Sequence, residues 1–267
     1  MIATTELVRL GEVTIHARRL ELPTESEDAQ HPTIVFLHDS LGCVETWRDF
    51  PDAVVARTGA GAIVYDRQGY GRSSPFDPTP RTTRYLEEEA DVLRALLDRL
   101  KIASAILFGH SDGGSIALIA AALEPNRIAG VVTEGAHVFV EDITLRGIRA
   151  ARESLGNTDL ADRLTRYHGD KAPALTSAWI DTWLSPSFRA WNIERYLRDI
   201  RCPVLAIQGE DDEFGTTDQV NAIVEGVGPR AEPLFIPGVG HTPHREAREI
   251  VLDTASAFIV DVMNAER

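Results

Sequence analysis

Gly109, Ser111 and Gly113 form the pattern Gly-x-Ser-x-Gly near the middle of the chain. An apolar run at 105–108 precedes the pattern and is typical of a buried strand, and a run rich in Ala, Ile and Leu at 115–123 is typical of a buried helix. A serine between a strand and a helix suits a nucleophile elbow, the tight turn that lifts a serine hydroxyl above a sheet. Because only a residue without a Cβ tolerates the crowded backbone of such a turn, the two glycines fit it. Ser111 is therefore a candidate nucleophile, provided that an acid and a histidine follow it.

An acid and a histidine do follow Ser111 along the chain, each directly after a predicted strand. The acidic run 210–213 follows one strand, and His241 follows the next. Serine alone is a weak nucleophile at neutral pH, so it needs a histidine that takes its proton and then returns one to the leaving group. A carboxylate beside that histidine holds the imidazole in the right tautomer and stabilises its cation. These residue types together predict attack of a serine on an ester-type carbonyl.

Short apolar strands alternate with helices along most of the chain, and these elements must position the reactive residues. The predicted strands lie at 6–10, 13–22, 33–37, 61–65, 105–108, 128–133, 203–208 and 233–236. The predicted helices lie at 46–58, 82–100, 115–123, 218–225 and 246–263. This alternation predicts an α/β fold with a mostly parallel eight-stranded sheet and helices on both faces. Ligands bind such sheets beyond the C-terminal ends of the strands, where His38, Arg67 and Ser111 are expected.

The alternation stops between residues 137 and 199, where three helical segments follow one another without a strand. We expect this segment to be a helical cap over the active edge of the sheet, with a core formed by 1–136 and 200–267. Trp179 and Trp183 are four residues apart and share a helix face. These two tryptophans and His137 are candidate contacts for a bound small molecule, although packing inside the insertion is the commoner fate of such residues.

The composition limits the classes of partner that the chain is expected to bind. With 27 basic and 41 acidic residues the net charge is −14, and such a surface repels nucleic acid and anionic membranes. The two cysteines have no metal-ligand spacing, and the acidic run lacks the spacing of a calcium loop. We therefore expect no metal and no cofactor. The chain begins without a signal-peptide pattern and has no apolar run of membrane-spanning length, which predicts a cytoplasmic protein. The sequence does not select between a monomer and a homodimer, which are the two oligomeric states expected.

Five stretches of the chain resemble the α/β-hydrolase superfamily, and together they extend over nearly its whole length. They lie at 37–42, 65–73, 109–114, 209–212 and 240–241. The order serine, acid, histidine is also that of the superfamily, whereas the two common serine protease orders differ. The family's acid follows a glycine by three residues, which selects Asp212 over its neighbour Asp211, and the family's histidine position matches His241. The resemblance therefore implies an α/β-hydrolase fold with Ser111, Asp212 and His241 as its triad.

The elbow also resembles one group within the superfamily. Residues 109–114 and the helix after them are similar to the valacyclovir hydrolase group, which cleaves α-amino acid esters. In these hydrolases a carboxylate directly after the nucleophile pairs with the substrate's ammonium group, a role that would fall to Asp112 here. The alternative is that Asp112, at a helix N-terminus, is simply stabilised by the helix dipole. Dehalogenases and epoxide hydrolases have Asp, and dienelactone hydrolases Cys, at the position of Ser111, which argues against those branches.

The resemblance further implies an oxyanion hole built from two backbone N–H groups. One belongs to Asp112, the residue after the nucleophile. The other comes from the loop after strand 33–37, where Ser40 is favoured by position. Asp39 stays open as the alternative, because it replaces a glycine that is common there and Asp tolerates left-handed geometry better than most residues.

The remaining histidines carry weaker expectations. His38 and His110 are expected to have structural roles beside the sheet. His244, three residues after the predicted catalytic histidine, is expected to cap a helix or face solvent. His16 and His168 have no motif around them and are expected at the surface.

The residues together predict a cofactor-free serine hydrolase that cleaves carboxylic esters of small molecules through an acyl-enzyme on Ser111, with α-amino acid esters as one option. The same triad also serves lactones, thioesters, perhydrolysis, some carbon–carbon bonds and aminopeptidase-type amides. A different class of protein also stays open, because some members of the superfamily are small-molecule receptors that use the same pocket with little turnover.

Overall fold

The computed structural model describes residues 1–23, 31–76 and 79–265. Within these residues eight strands form one sheet in the order β1-β2-β4-β3-β5-β6-β7-β8. The strands are β1 Ile2–Leu10, β2 Val13–Glu21, β3 Thr33–Leu37, β4 Ala62–Tyr65, β5 Ala105–His110, β6 Ile128–Glu134, β7 Val204–Gly209 and β8 Ala231–Ile236. Strands β3 to β8 run parallel, while β2 pairs antiparallel with both β1 and β4. The predicted mostly parallel, eight-stranded sheet is therefore confirmed.

Helices cover both faces of the sheet, as the alternation of elements predicts. They are α1 Phe50–Thr58, α2 Tyr85–Arg99, α3 Asp112–Leu123, α4 Asp142–Asn157, α5 Leu160–His168, α6 Ala172–Trp183, α7 Glu194–Leu197, α8 Thr217–Val227, α9 Pro243–Glu246 and α10 Arg248–Ala265. Val35 and Leu37 of β3 pack in the cluster that includes α2 and α3. Ile34 and Phe36 pack in the cluster that includes α1 and α10. Successive strand residues thus point to opposite faces, and both faces are buried.

All five predicted helix starts differ from the structure by one to four residues, and two of these differences have a clear local cause. The helix expected from residue 46 begins instead at Phe50, after a separate 3-10 turn at Val44–Trp47. Pro51 suits the first turn of α1, because the N–H that proline lacks has no partner inside the helix there. Helix α3 begins at Asp112, three residues before the predicted start, because the glycines that resemble a loop in sequence are its first turn.

The loop expected at 23–32 lies mostly outside the described residues.

The segment between β6 and β7 is helical, and its tryptophans are buried. In this fully described stretch there are four α-helices, α4 to α7, rather than the three expected. Helix α7 has only four residues, too few to produce an apolar periodicity. Phe188 packs between two tryptophans, with ring centroids 4.9 Å from Trp183 and 5.3 Å from Trp191. The division into a core and a cap at residues 137–199 stays a prediction.

No helix within residues 1–23, 31–76 and 79–265 combines the length and the apolar composition that crossing a membrane requires.

The turn after β5 is so tightly packed that its glycines cannot gain a side chain without displacing backbone. A Cβ on Gly113 would lie 2.1 Å from the Leu37 carbonyl oxygen. We expect Gly113→Ala to lower the free energy of unfolding in urea by about 1–3 kcal/mol, because overpacking forces the backbone to shift. Gly156→Ala in α4 is the matched control, because a Cβ there meets nothing within 4 Å. Equal unfolding midpoints for Gly113→Ala and the unchanged protein would contradict this packing.

Candidate active site

The turn between β5 and α3 holds Ser111 in a strained backbone conformation. Ser111 has φ 55° and ψ −119°, a combination that a residue with a side chain rarely adopts. Its N–H donates to the Glu134 carbonyl of β6 at 2.8 Å, and its carbonyl accepts from the N–H groups of Gly114 and Ser115. These bonds maintain the conformation and leave the Ser111 hydroxyl at the C-terminal edge of the sheet.

The three residues of the predicted triad come together at this edge. Ser111 Oγ lies 3.0 Å from His241 Nε2. His241 Nδ1 lies 2.8 Å and 2.9 Å from the two carboxylate oxygens of Asp212. An ionised carboxylate only accepts, so the His241 proton is on Nδ1 and Nε2 is free to accept from the serine hydroxyl. This is the arrangement in which an imidazole can remove the serine proton.

The loop after β7 points a single carboxylate at His241. Asp212 is buried, and it accepts hydrogen bonds from the Gln208 amide at 2.7 Å and from the Phe214 N–H at 2.8 Å. The other three carboxylates of the run, on Glu210, Asp211 and Glu213, belong to exposed residues. The acidic run therefore does not converge on one point, and Asp212 rather than Asp211 faces the histidine.

The pKa values of the buried pair move in opposite directions. Burial by itself would lower the pKa of His241, but the charge and hydrogen bond of Asp212 raise it above the ordinary 6.5, with smaller contributions from Glu213 and Asp39. Burial by itself would raise the pKa of Asp212, but the charge and hydrogen bond of His241 bring it below 3.8. Asp212 is thus ionised wherever His241 titrates, and it stabilises the imidazolium.

The raised pKa of His241 predicts the acid limb of the pH profile. Only neutral His241 can accept the serine proton, so kcat/KM should fall as pH drops through its pKa, with a midpoint above 6.5. Glu213→Gln removes a carboxylate that helps to raise this pKa, so it should move the midpoint to lower pH. Glu210→Gln, also at an exposed residue, is the control and should leave the midpoint in place. The measurement is kcat/KM for p-nitrophenyl butyrate across the neutral range, and a midpoint below 6.5 would contradict the assignment.

Two backbone N–H groups beside Ser111 are available as donors. In the described part of the chain neither the Ser40 N–H nor the Asp112 N–H donates a hydrogen bond to the protein. The Asp39 side chain turns back on its own loop, where it accepts from the Leu41 N–H at 3.3 Å. The Asp39 N–H, the alternative to that of Ser40, likewise donates no hydrogen bond to the described residues, so Ser40 and Asp39 both stay open as the partner of Asp112 in the predicted oxyanion hole.

A cavity of about 380 Å³ opens beside Ser111 and His241. Its apolar wall is formed by Leu41, Ile148, Leu160, Trp179, Trp183 and Phe214. The four predicted substrate contacts, Asp112, His137, Trp179 and Trp183, all line it. Phe214, whose ring centroid is 4.7 Å from that of His241, was not identified from the sequence, and neither were Ile148 and Leu160. All three lie outside every motif. Ile148 and Leu160 are on α4 and α5, and only the tertiary packing of these helices places the two residues here.

Asp112 and His137 have protein partners as well as positions on the cavity wall. Asp112 Oδ1 accepts from the Tyr85 hydroxyl at 3.0 Å, and its Oδ2 lies 3.5 Å from Arg67 Nη2. His137 Nε2 lies 3.1 Å from the Phe214 carbonyl oxygen, to which it can only donate. Burial, followed by the nearby charge of His241, lowers the pKa of His137. His137 is therefore neutral, with an Nδ1 that can accept a hydrogen bond.

The expectation of surface or capping positions was wrong for three histidines, all of which are buried. His16 Nδ1 lies 2.7 Å from Asp66 Oδ2, and His244 Nδ1 lies 2.7 Å from Glu134 Oε2. His168 accepts from the Gly71 N–H at 2.9 Å. Each partner is at least 50 residues away in sequence, so no local pattern could reveal the pairing.

Comparisons with known proteins show the family to which the chain is similar. The model of the Alpha/beta hydrolase family matches residues 34–254. The chain is 39% identical over 107 residues to an epoxide hydrolase of Caballeronia sordidicola, covering 40% of this chain and 31% of that protein. It is 32% identical over 159 residues to serine hydrolase BPHL of Homo sapiens, covering 56% of this chain and 53% of that protein. The chain thus aligns with about a third to a half of the length of these two relatives.

Similarity in fold extends over almost the whole chain. A bacterial membrane phospholipase A, described as a virulence factor, superposes with a TM-score of 0.80 at 18% identity, over 98% of this chain and 87% of that one. At this identity the match supports the fold and not the substrate. The sheet order, the tight turn at Ser111 and a family model that spans most of the sequence lead to one conclusion. The chain belongs to the alpha/beta hydrolase family.

Proposed function

We propose that this protein is a cofactor-free serine hydrolase that cleaves carboxylic esters of small molecules through an acyl-enzyme on Ser111. The observation that carries the proposal is the run of hydrogen bonds from Ser111 Oγ through His241 to Asp212, with distances of 3.0 Å and 2.8 Å. A serine hydroxyl bonded to a histidine whose other nitrogen faces a carboxylate is the arrangement that activates serine for attack.

The reaction uses these groups in two stages. Ser111 Oγ attacks the ester carbonyl while His241 Nε2 takes its proton, and the N–H groups of Ser40 and Asp112 bind the resulting oxyanion. The intermediate collapses as His241 gives the proton to the departing alcohol, which leaves an acyl group on Ser111. His241 then takes a proton from water, the hydroxide attacks the acyl carbonyl, and the carboxylic acid leaves as the proton returns to Ser111. Asp212 stabilises the imidazolium in both stages and stays ionised.

The wall of the cavity favours a substrate with an apolar group of modest size. Trp179, Trp183 and Phe214 supply aromatic surface, and about 380 Å³ is within the range of small-molecule sites. Amino acid esters remain one option, because Asp112 lines the cavity and one of its buried carboxylate oxygens has no hydrogen-bond partner among the described residues. Arg67, 3.5 Å from that oxygen, competes with an ammonium group for it.

Other substrates of the same machinery are the alternatives to simple esters. Lactones, thioesters, peracid formation, carbon–carbon bonds and amides all proceed through attack by an activated serine, and a receptor could use the same cavity with little turnover. The similarity to an epoxide hydrolase does not favour epoxide opening here, because this chain has Ser111 where the resembling epoxide hydrolases have a carboxylate.

A panel of p-nitrophenyl esters of increasing acyl length tests the proposal. We expect turnover of short and medium esters, and we expect Trp179→Ala to move the optimum to longer chains by enlarging the apolar wall. The p-nitrophenyl esters of propionate and alaninate differ by one ammonium group, so their ratio tests the amino acid ester option. Turnover of every ester at the background rate of Ser111→Ala would reject the proposed activity.

We also propose that residues 137–199 act as a cap over this cavity and that the protein works in the cytoplasm as a monomer or homodimer. The net charge of −14 supports a small-molecule substrate over nucleic acid or a membrane surface as its main partner.

A further inference from the structure

The peptide group between Asp39 and Ser40 has its carbonyl held by two side chains. Arg67 Nη2 donates to the Asp39 carbonyl oxygen at 2.9 Å, and His38 Nδ1 lies 2.7 Å from the same oxygen. His38 Nε2 accepts from the Arg67 backbone N–H at 3.0 Å, so the proton of the neutral ring is on Nδ1 and points at that carbonyl. Because the peptide is trans, the Ser40 N–H points away from the Asp39 carbonyl. Holding the carbonyl therefore fixes the direction of the Ser40 N–H.

The same guanidinium also faces Asp112, whose N–H is the second proposed oxyanion donor. Arg67 Nη2 lies 3.5 Å from Asp112 Oδ2, and the two side chains are 0% and 1% exposed. Tyr85 donates to the other carboxylate oxygen at 3.0 Å and itself accepts from Trp183 Nε1 at 2.7 Å. A single buried arginine thus contacts the Asp39 carbonyl, in the peptide group that carries the Ser40 N–H, and the side chain of Asp112, whose N–H is the other proposed donor.

The carboxylate of Asp112 creates an electrostatic difficulty for the proposed reaction. The N–H of this residue stabilises a developing oxyanion, whereas its carboxylate carries a charge of the same sign as that oxyanion. The carboxylate is nearly inaccessible to water, so solvent screens this repulsion poorly. A guanidinium beside it offsets the charge at every pH at which the enzyme can work, because arginine does not lose its proton there.

We propose that Arg67 is a positioning residue for the oxyanion hole. It orients the Ser40 N–H through the Asp39 carbonyl, and it neutralises the Asp112 carboxylate that would otherwise oppose the oxyanion. The inference rests on the proposed function, because the oxyanion in question forms only when Ser111 attacks a carbonyl. If Arg67 had a purely structural role, it would only pair with the buried carboxylate of Asp112, and its removal would change stability alone.

The test compares Arg67→Met, Asp112→Asn and the double substitution. We expect Arg67→Met to lower kcat for p-nitrophenyl butyrate by about 10²-fold while KM stays within about threefold, because the loss falls on the transition state. A trifluoromethyl ketone, which forms an oxyanion on the serine, should bind more weakly by about the same factor as kcat. The double substitution should recover about tenfold in kcat over Arg67→Met, because the unpaired charge next to the Asp112 N–H is then gone.

The substitution Arg127→Met is the matched control. Arg127 also donates to a backbone carbonyl, that of Ile102, at 2.9 Å and 2.6 Å, but it precedes β6 at the opposite end of the sheet. Its removal should lower the unfolding temperature without changing kcat. If Arg67→Met does not fold, the double substitution is compared with Asp112→Asn instead. We expect kcat of the double substitution to be about tenfold lower, because the Asp39 carbonyl has lost the hydrogen bond from Arg67.

Two results would overturn the role of Arg67. One is an unchanged kcat in a folded Arg67→Met protein, or a kcat of the double substitution equal to that of Asp112→Asn. The other is a loss confined to KM with unchanged affinity for the ketone. Either result counts against Arg67 only if the substitution Ser111→Ala abolishes the activity. If Ser111→Ala stays active, the proposed function fails first, so the two failures are distinguishable.

Discussion

Ser111→Ala should lower kcat/KM for p-nitrophenyl butyrate by about 10⁴-fold or more, because the acyl-enzyme that we propose forms on the Ser111 hydroxyl. The substitution removes only the Oγ atom that lies 3.0 Å from His241 Nε2. The backbone bonds that hold the turn, including the one from the Ser111 N–H to the Glu134 carbonyl, do not involve that atom. The unfolding temperature should therefore change little while activity disappears.

The control for this substitution is Ser256→Ala. Ser256 is a buried serine on α10 whose hydroxyl has no partner among the described residues, so its removal should leave kcat/KM unchanged. A Ser111→Ala protein that keeps the turnover of the unchanged enzyme would exclude Ser111 as the nucleophile.

Asp212→Asn should lower kcat by about 10⁴-fold while the protein stays folded. The asparagine amide can donate toward His241 Nδ1, which favours the tautomer with its proton on Nε2, and that nitrogen then cannot accept from Ser111. The asparagine oxygen can still accept from the Phe214 N–H, at 2.8 Å from Asp212 in the unchanged protein. Gln208 now donates to Asp212, and it can turn its unpartnered oxygen toward the asparagine amide. The loss should therefore appear in kcat, and the midpoint of the acid limb should move to lower pH because the charge that raises the pKa of His241 is gone. The unfolding temperature should change little.

The neighbouring substitution Asp211→Asn distinguishes the two carboxylates. Asp211 is exposed, so this change should keep kcat within about twofold of the unchanged enzyme, as is usual for surface charges. Equal losses for Asp211→Asn and Asp212→Asn, or no loss for Asp212→Asn, would contradict the assignment of the acid.

The sheet and the reactive residues could be predicted because their signals are local. Apolar runs as short as β4 and β5 mark buried parallel strands, and a strand followed by a tight turn fixes where Ser111, Asp212 and His241 must lie. Parallel strands bring their C-terminal ends to one edge, so residues 130 positions apart in sequence, such as Ser111 and His241, become neighbours. Pattern and topology brought Ser111, the acidic run and His241 to one edge, and the resemblance to the α/β-hydrolase superfamily selected Asp212 and His241 within their loops.

What the sequence did not reveal depends on contacts between distant segments. The buried pairs of His16 with Asp66 and of His244 with Glu134 join residues 50 and 110 positions apart, and neither residue type shows its burial in a local pattern. No sequence motif indicates that Phe214 lies on the cavity wall either. Helix α7 was missed for a different reason, because one turn produces no periodicity.

Labelling with a fluorophosphonate, followed by peptide mapping by mass spectrometry, tests the central claim most directly. The reagent reacts with serine only when a neighbouring base has activated it, which is the property inferred from the contacts of Ser111 with His241. We predict a covalent adduct on Ser111 that is lost in Ser111→Ala and forms more slowly in Asp212→Asn. A protein that stays unlabelled, or one labelled at another residue with Ser111 unmodified, would contradict the account.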